Sequence, residues 1–201
     1  MQKRKRQISQ AIAPYWIAGA LLEISWLFLF GAATKRTFAA AAVALVYASF
    51  AFAQALFAVE PPNAPKVFSR DASGLVAAGS AINAAWLSVA SAVSILTFLP
   101  YPTDQVELAA VLLACVAGIG LFISLRTCSI AYPLTLVWAF VAVVLVGDRA
   151  RSVRALAGVA ASLSALTAFI NATQRLMGSA QYSKADGSGG DVEDGGGAAA
   201  V

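Results

Sequence analysis

Three positions place a hydrogen-bonding side chain three residues before a tryptophan: Glu23 with Trp26, Asn83 with Trp86, and Thr135 with Trp138. Residues three apart share one face of a helix. Each pair would therefore present an indole and a polar group side by side. Such a pair can hold a ligand, the ring giving apolar contact and the polar group orienting the ligand's polar end. It can equally be packing, with the indole filling volume and the polar group bonded to a neighbouring helix. Glu23 differs from the other two in being ionisable. A charge at the centre of a bilayer costs at least about 2.5–3.5 kcal/mol, so such residues face a cavity or a partner. No Lys or Arg lies at the depth of Glu23. The reading that uses all these residues is a shared pocket in which Glu23, Asn83 and Thr135 supply polar contacts beside Trp26, Trp86 and Trp138.

Two of the pairs sit in similar surroundings. Residues 18–27 read AGALLEISWL and residues 78–87 read AGSAINAAWL, so an offset of 60 aligns Ala18, Gly19, Trp26 and Leu27 with Ala78, Gly79, Trp86 and Leu87. Glu23 then falls on Asn83. An ancestral two-helix duplication would produce this match, and so would chance in Ala-rich helices.

What is missing narrows the chemistry. The chain has no His, which removes the commonest metal ligand and general base. It has no Gly-rich phosphate loop, no Cys cluster and no HExxH. No Lys lies inside an apolar stretch to form a Schiff base. There is no Arg ladder, no potassium-filter sequence and no second acid at depth for a proton relay. The expectation is therefore a binding or transport protein, not an enzyme, with no metal and no cofactor. The net charge of +4 sits at the ends of apolar stretches and not along one stripe, so nucleic acid is not an expected partner.

These side chains need elements to position them, and composition says which. The chain is 60% apolar and 12% charged, with mean hydropathy +0.76. Ordinary soluble domains are roughly 45–50% apolar and about 25% charged. Of the 24 charges (14 basic plus 10 acidic), 23 lie outside the apolar stretches, the exception being Glu23. They punctuate six spans: 11–33, 38–59, 72–99, 108–125, 127–147 and 155–174. Each approaches or exceeds the roughly 20 residues that cross a bilayer as a helix. Lipid cannot satisfy open backbone groups, so all six are expected to be helical. The fold class is all-α, a polytopic integral membrane bundle of six transmembrane helices over 11–175. A basic segment, 1–10, precedes it; the apolar run that follows is longer than the roughly 7–15 residues of a signal-peptide core, so it reads as a retained first helix, with a cleaved organellar presequence as the alternative. A Gly/Ala/acidic tail, 176–201, follows and is expected to be disordered. Segment 60–71, EPPNAPKVFSRD, reads as a stiff connector or a lid.

The positive-inside rule places both termini on the inner side, with nine basic residues on inner segments against five on outer ones. The two cysteines, Cys115 and Cys128, are too far apart along the chain for an expected disulfide. Gln54 and Asn171 are expected to bond neighbouring helices. The small residues Gly19, Gly74, Gly79, Gly118 and Gly120 are expected to permit close helix approach.

Helices three to five resemble the TspO/translocator-protein family of tryptophan-rich membrane proteins. Asn83-Ala84-Ala85-Trp86 matches the family's Asn-x-x-Trp in its third helix. The span 108–125 matches its Leu-rich fourth. Pro133 and Trp138-Ala139-Phe140-Val141-Ala142 match the Pro and Trp-x-x-x-Ala of its fifth. Tyr47 and Gln54-Ala55-Leu56 are similar to the end of its second helix. The similarity spans about 100 of the 201 residues. The family's Trp-Pro-Pro before helix two is absent, and a sixth helix is additional to its five. The resemblance implies a tetrapyrrole, sterol or similar flat apolar ligand in the bundle, with Asn83, Trp86 and Trp138 as the matching positions and 60–71 as a cover.

The expected function is thus binding or transport of a small apolar or amphipathic ligand. The bilayer is an expected partner, and a homo-oligomer or larger membrane complex is compatible with the small-residue helix faces. Two alternatives use the same residues differently. One is a structural or assembly subunit without its own ligand. The other is a small repeat-built carrier, which predicts helices broken near Gly118 or Pro133.

Overall fold

A computed structural model describes residues 2–32, 34–61, 72–98, 105–145 and 150–187. They form α1 (Gln2–Gly31), α2 (Lys35–Val59), α3 (Ala72–Phe98), α4 (Gln105–Thr127), α5 (Ala131–Leu145) and α6 (Arg151–Gly187). Among the described residues, five helices are long and apolar enough to cross a membrane, and α5 is a shorter apolar one. The bundle is all-α, as its composition dictates.

The helices group in two layers. α1 packs on α2 and α2 on α3, while α6 packs on α5 and α4. α3 joins the layers through contacts with α5 and α4.

Small residues make the first layer tight. Ala41, Ala44, Ala48, Ala51 and Ala55 form one buried seam on α2, and Ala77, Ala81 and Ala84 form its counterpart on α3. Their spacing of three and four keeps each series on one face, and small side chains let the backbones approach. Ser49 locks the seam by donating to the Ala84 carbonyl at 2.9 Å and meeting the Ser88 hydroxyl at 2.7 Å. Ser88 in turn lies 3.5 Å from the Tyr132 hydroxyl of α5, so a thread of hydroxyls crosses from α2 to α5.

α1 is keyed to α2 by one ring. Phe52 is buried, stands edge-on to Trp16 at 5.1 Å, and lies so close to Gly19 that an added Cβ would meet its ring at 2.7 Å. Trp16 also donates to Ser80 of α3 at 3.0 Å. The expected close approach at Gly19 is thus real, and its partner is an aromatic side chain.

Helix ends follow local chemistry. Thr34 caps α2, its hydroxyl accepting from the Thr37 backbone while Thr37 accepts from Thr34 N–H, a reciprocal capping box. The fifth span was expected from 127, but α5 starts at Ala131. Cys128 takes φ 51°, a left-handed conformation that ends α4, and Ser129 accepts from the Tyr132 N–H. The tail expectation is corrected over 176–187, which continues α6. Leu176, Met177, Ala180, Gln181, Lys184 and Ala185 are good helix formers and no Pro interrupts them. α1 likewise starts well before residue 11, taking in the basic segment. α4 runs unbroken through Gly118 and α5 through Pro133, so the breaks expected of a repeat-built carrier are absent there. Of the connector 60–71, residues 62–71 lie outside the described residues, as do 188–201 of the tail.

Candidate functional site

Of the three polar–tryptophan pairs, the fold brings two together. Trp86 of α3 and Trp138 of α5 meet with ring centroids 5.1 Å apart and planes inclined at 39°. Both stand on the outside of the bundle, 42% and 62% exposed. Asn83 and Thr135 sit three residues before them and are half-buried. Thr135 donates to the Ala131 carbonyl of its own helix at 2.9 Å. The Asn83 side chain hydrogen-bonds no described group. The arrangement is an open aromatic wedge with a free amide within a turn of one ring.

Glu23 and Trp26 stand elsewhere. α1 packs on α2 and not on α5, so the first pair does not join the other two in one wall. Trp26 packs half-buried against the core and lies 5.6 Å from Phe30, and its indole N–H is buried without an acceptor. Glu23 is half-buried and makes no hydrogen bond or ion pair with a described residue, Asn83 included.

A polar hub lies at the α4–α5 turn. Asn171 of α6, buried, donates through Nδ2 to the carbonyls of Ser124 at 3.1 Å and Ser129 at 2.7 Å. Arg175 donates through Nε to the Cys128 carbonyl at 2.8 Å and pairs with Glu60 at the end of α2. The Cys128 thiol donates to Gln174 at 3.3 Å. A left-handed turn exposes carbonyls that no helix satisfies, and α6 supplies the donors. The expectation that Asn171 bonds a neighbouring helix holds.

A cleft of about 240 Å³ lies between α4, α5 and α6. Its walls include Leu113, Leu121, Pro133, Leu136, Leu156 and Leu163, and Ser124, Ser164 and Thr167 add hydroxyls. None of the six residues singled out from sequence lines it. The signal that could have found it is the face of α6 carrying Ser164, Thr167 and Asn171, polar at helical spacing in an apolar span. That face reads as packing until the turn it meets is known.

A family model described as TSPO-like protein matches residues 1–170. The match starts ahead of α1 and reaches into α6, well beyond the part of the chain whose motifs carried the resemblance. No curated protein and no solved structure matches the chain.

Proposed function

The chain belongs to the TSPO-like protein family, and from that premise we propose that it binds a small flat apolar or amphipathic molecule, tetrapyrrole- or sterol-like, against Trp86 and Trp138. The observation that carries this reading is the meeting of those two rings. They come from separate helices, they touch, and they stay substantially exposed. On the side of the bundle that faces lipid, an inclined pair of rings from two helices offers two faces to a flat ligand arriving from the bilayer. The unbonded Asn83 amide supplies a polar contact next to Trp86, and Thr135 holds the matching place beside Trp138. Glu23 and Trp26 are not needed for this contact.

The reaction class is binding or passage, not bond-making. No group of these surfaces is a nucleophile paired with a base. The protein is a multi-pass membrane protein, and the basic residues support an orientation with both termini on the inner side.

Binding is tested on the purified full chain by titrating protoporphyrin and following tryptophan fluorescence. Saturable quenching is expected, weakened about two- to tenfold in Asn83→Leu, the range of one lost hydrogen bond. Absence of saturable quenching, with stable partner proteins co-purifying instead, would favour the structural-subunit alternative.

A further inference from the structure

The α4–α5–α6 cleft is separate from the tryptophan pair. Pro133 and Leu136 line it while Trp138, two residues on from Leu136, lies on another side of α5. We propose that this cleft is a second binding site, and that it takes a single linear lipid chain ending in an uncharged hydroxyl, a long-chain or isoprenoid alcohol.

Shape argues for one chain. The lining runs along α4 from Leu113 to Ser124 and along α6 from Leu156 to Thr167, about 16 Å at 1.5 Å per residue. A space of about 240 Å³ drawn out over that length is narrow. It falls below the roughly 300–1,000 Å³ of sites that enclose drug-sized ring systems. A flexible chain fits where a fused ring does not. The lip residues Leu121, Val159 and Leu163 are exposed, so a chain can enter sideways from the bilayer.

Polarity argues for the head. The walls are apolar from Leu113 and Leu156 up to Ser124. Ser124 lines the cleft, is fully buried, and its hydroxyl oxygen has no hydrogen-bond partner. Asn171, whose amide nitrogen holds the Ser124 carbonyl, has a buried oxygen also without a partner. An orphaned buried polar group costs about 1–3 kcal/mol, and the Ser124 hydroxyl at one end of an apolar cleft marks where a ligand's polar atom belongs. A ligand hydroxyl answers it, since it can accept from the Ser124 hydroxyl or donate to it. No charged side chain lines the cleft, so a carboxylate or phosphate head would be desolvated without a counter-ion. Ser124 lies one turn from the end of α4, which sets the head towards the membrane edge and the tail towards its middle.

The test is photolabelling of the full chain in nanodiscs with a diazirine-bearing hexadecanol. Labelling is expected to saturate, to map to peptides of α4 and α6, and to be displaced by hexadecanol but not by hexadecane or hexadecyl phosphate. Gly118→Leu adds bulk to the lining where a Cβ meets nothing within 4 Å, and should abolish labelling without a clash in the fold. Ser124→Ala should weaken it about tenfold, as loss of a buried hydrogen bond does. The proposal is overturned if labelling does not saturate, if hexadecane or hexadecyl phosphate competes as well as hexadecanol, or if both variants label like the parent.

Discussion

At the scale of single residues, the side chains that matter divide into those that hold the fold and those that do not. Asn171 and Arg175 hold it. Each reaches from α6 to the α4–α5 turn, and the Cys128 carbonyl, the Ser124 carbonyl and the Ser129 carbonyl depend on them. Asn171→Ala removes two bonds and leaves buried acceptors unmatched, so it should cost about 2–3 kcal/mol, read as a lower unfolding midpoint in detergent. Glu23 is the opposite case. It has no hydrogen-bond or ion-pair partner among the described residues and stands apart from the tryptophan pair. Glu23→Leu should therefore raise thermal stability or insertion efficiency, while leaving protoporphyrin quenching within about twofold of the parent. If Glu23→Leu and Glu23→Gln both abolish quenching, the first helix belongs to the site and the pocket expected from sequence is the better description. Sequence alone identified Glu23 because one charge in an apolar span is conspicuous. It could not show that Glu23 and Asn83 make no hydrogen bond to each other, since helical spacing fixes faces within a helix but not how neighbouring helices are set against one another.

At the scale of elements, close approach is set by two glycines with different partners. An added Cβ at Gly19 would stand 2.7 Å from Phe52, and one at Gly120 would stand 2.2 Å from Leu136. Gly19→Ala should loosen α1 from α2, measured as faster protease cleavage of the α1–α2 connection. Gly120→Leu should be worse, because Leu136 and Tyr132 behind it are both buried and overpacking costs about 1–3 kcal/mol or more. Gly118, two residues earlier, meets nothing and should tolerate substitution. The same residue type thus has opposite consequences within half a turn, a difference invisible in sequence. Helix existence was legible throughout, because charges bounded the spans. Boundaries were less so. Cys128 in a left-handed conformation shortens α5, and nothing about a cysteine announces that turn. The continuation of α6 to Gly187 was hidden by composition, since Ala, Ser and Gly count both as tail and as helix.

At the scale of the whole molecule, two three-helix layers meet along α3. The tryptophan pair lies on the α3–α5 side of that junction, and the lipid cleft lies wholly within the second layer. Membrane class, helix number and family resemblance could all be read from the chain, because hydropathy and the Asn-x-x-Trp motif survive without tertiary context. The pairing of Trp86 with Trp138 could not, because it depends on α5 lying against α3, which helical spacing does not show. That pairing is the central claim, and parallel protoporphyrin titrations of four single variants test it most directly. Trp86→Phe and Trp138→Phe should each weaken saturable quenching about two- to tenfold, the worth of one aromatic contact. Trp16→Phe and Trp26→Phe should leave the dissociation constant unchanged. Equal affinity in all four variants, or a loss confined to Trp16→Phe and Trp26→Phe, would contradict it.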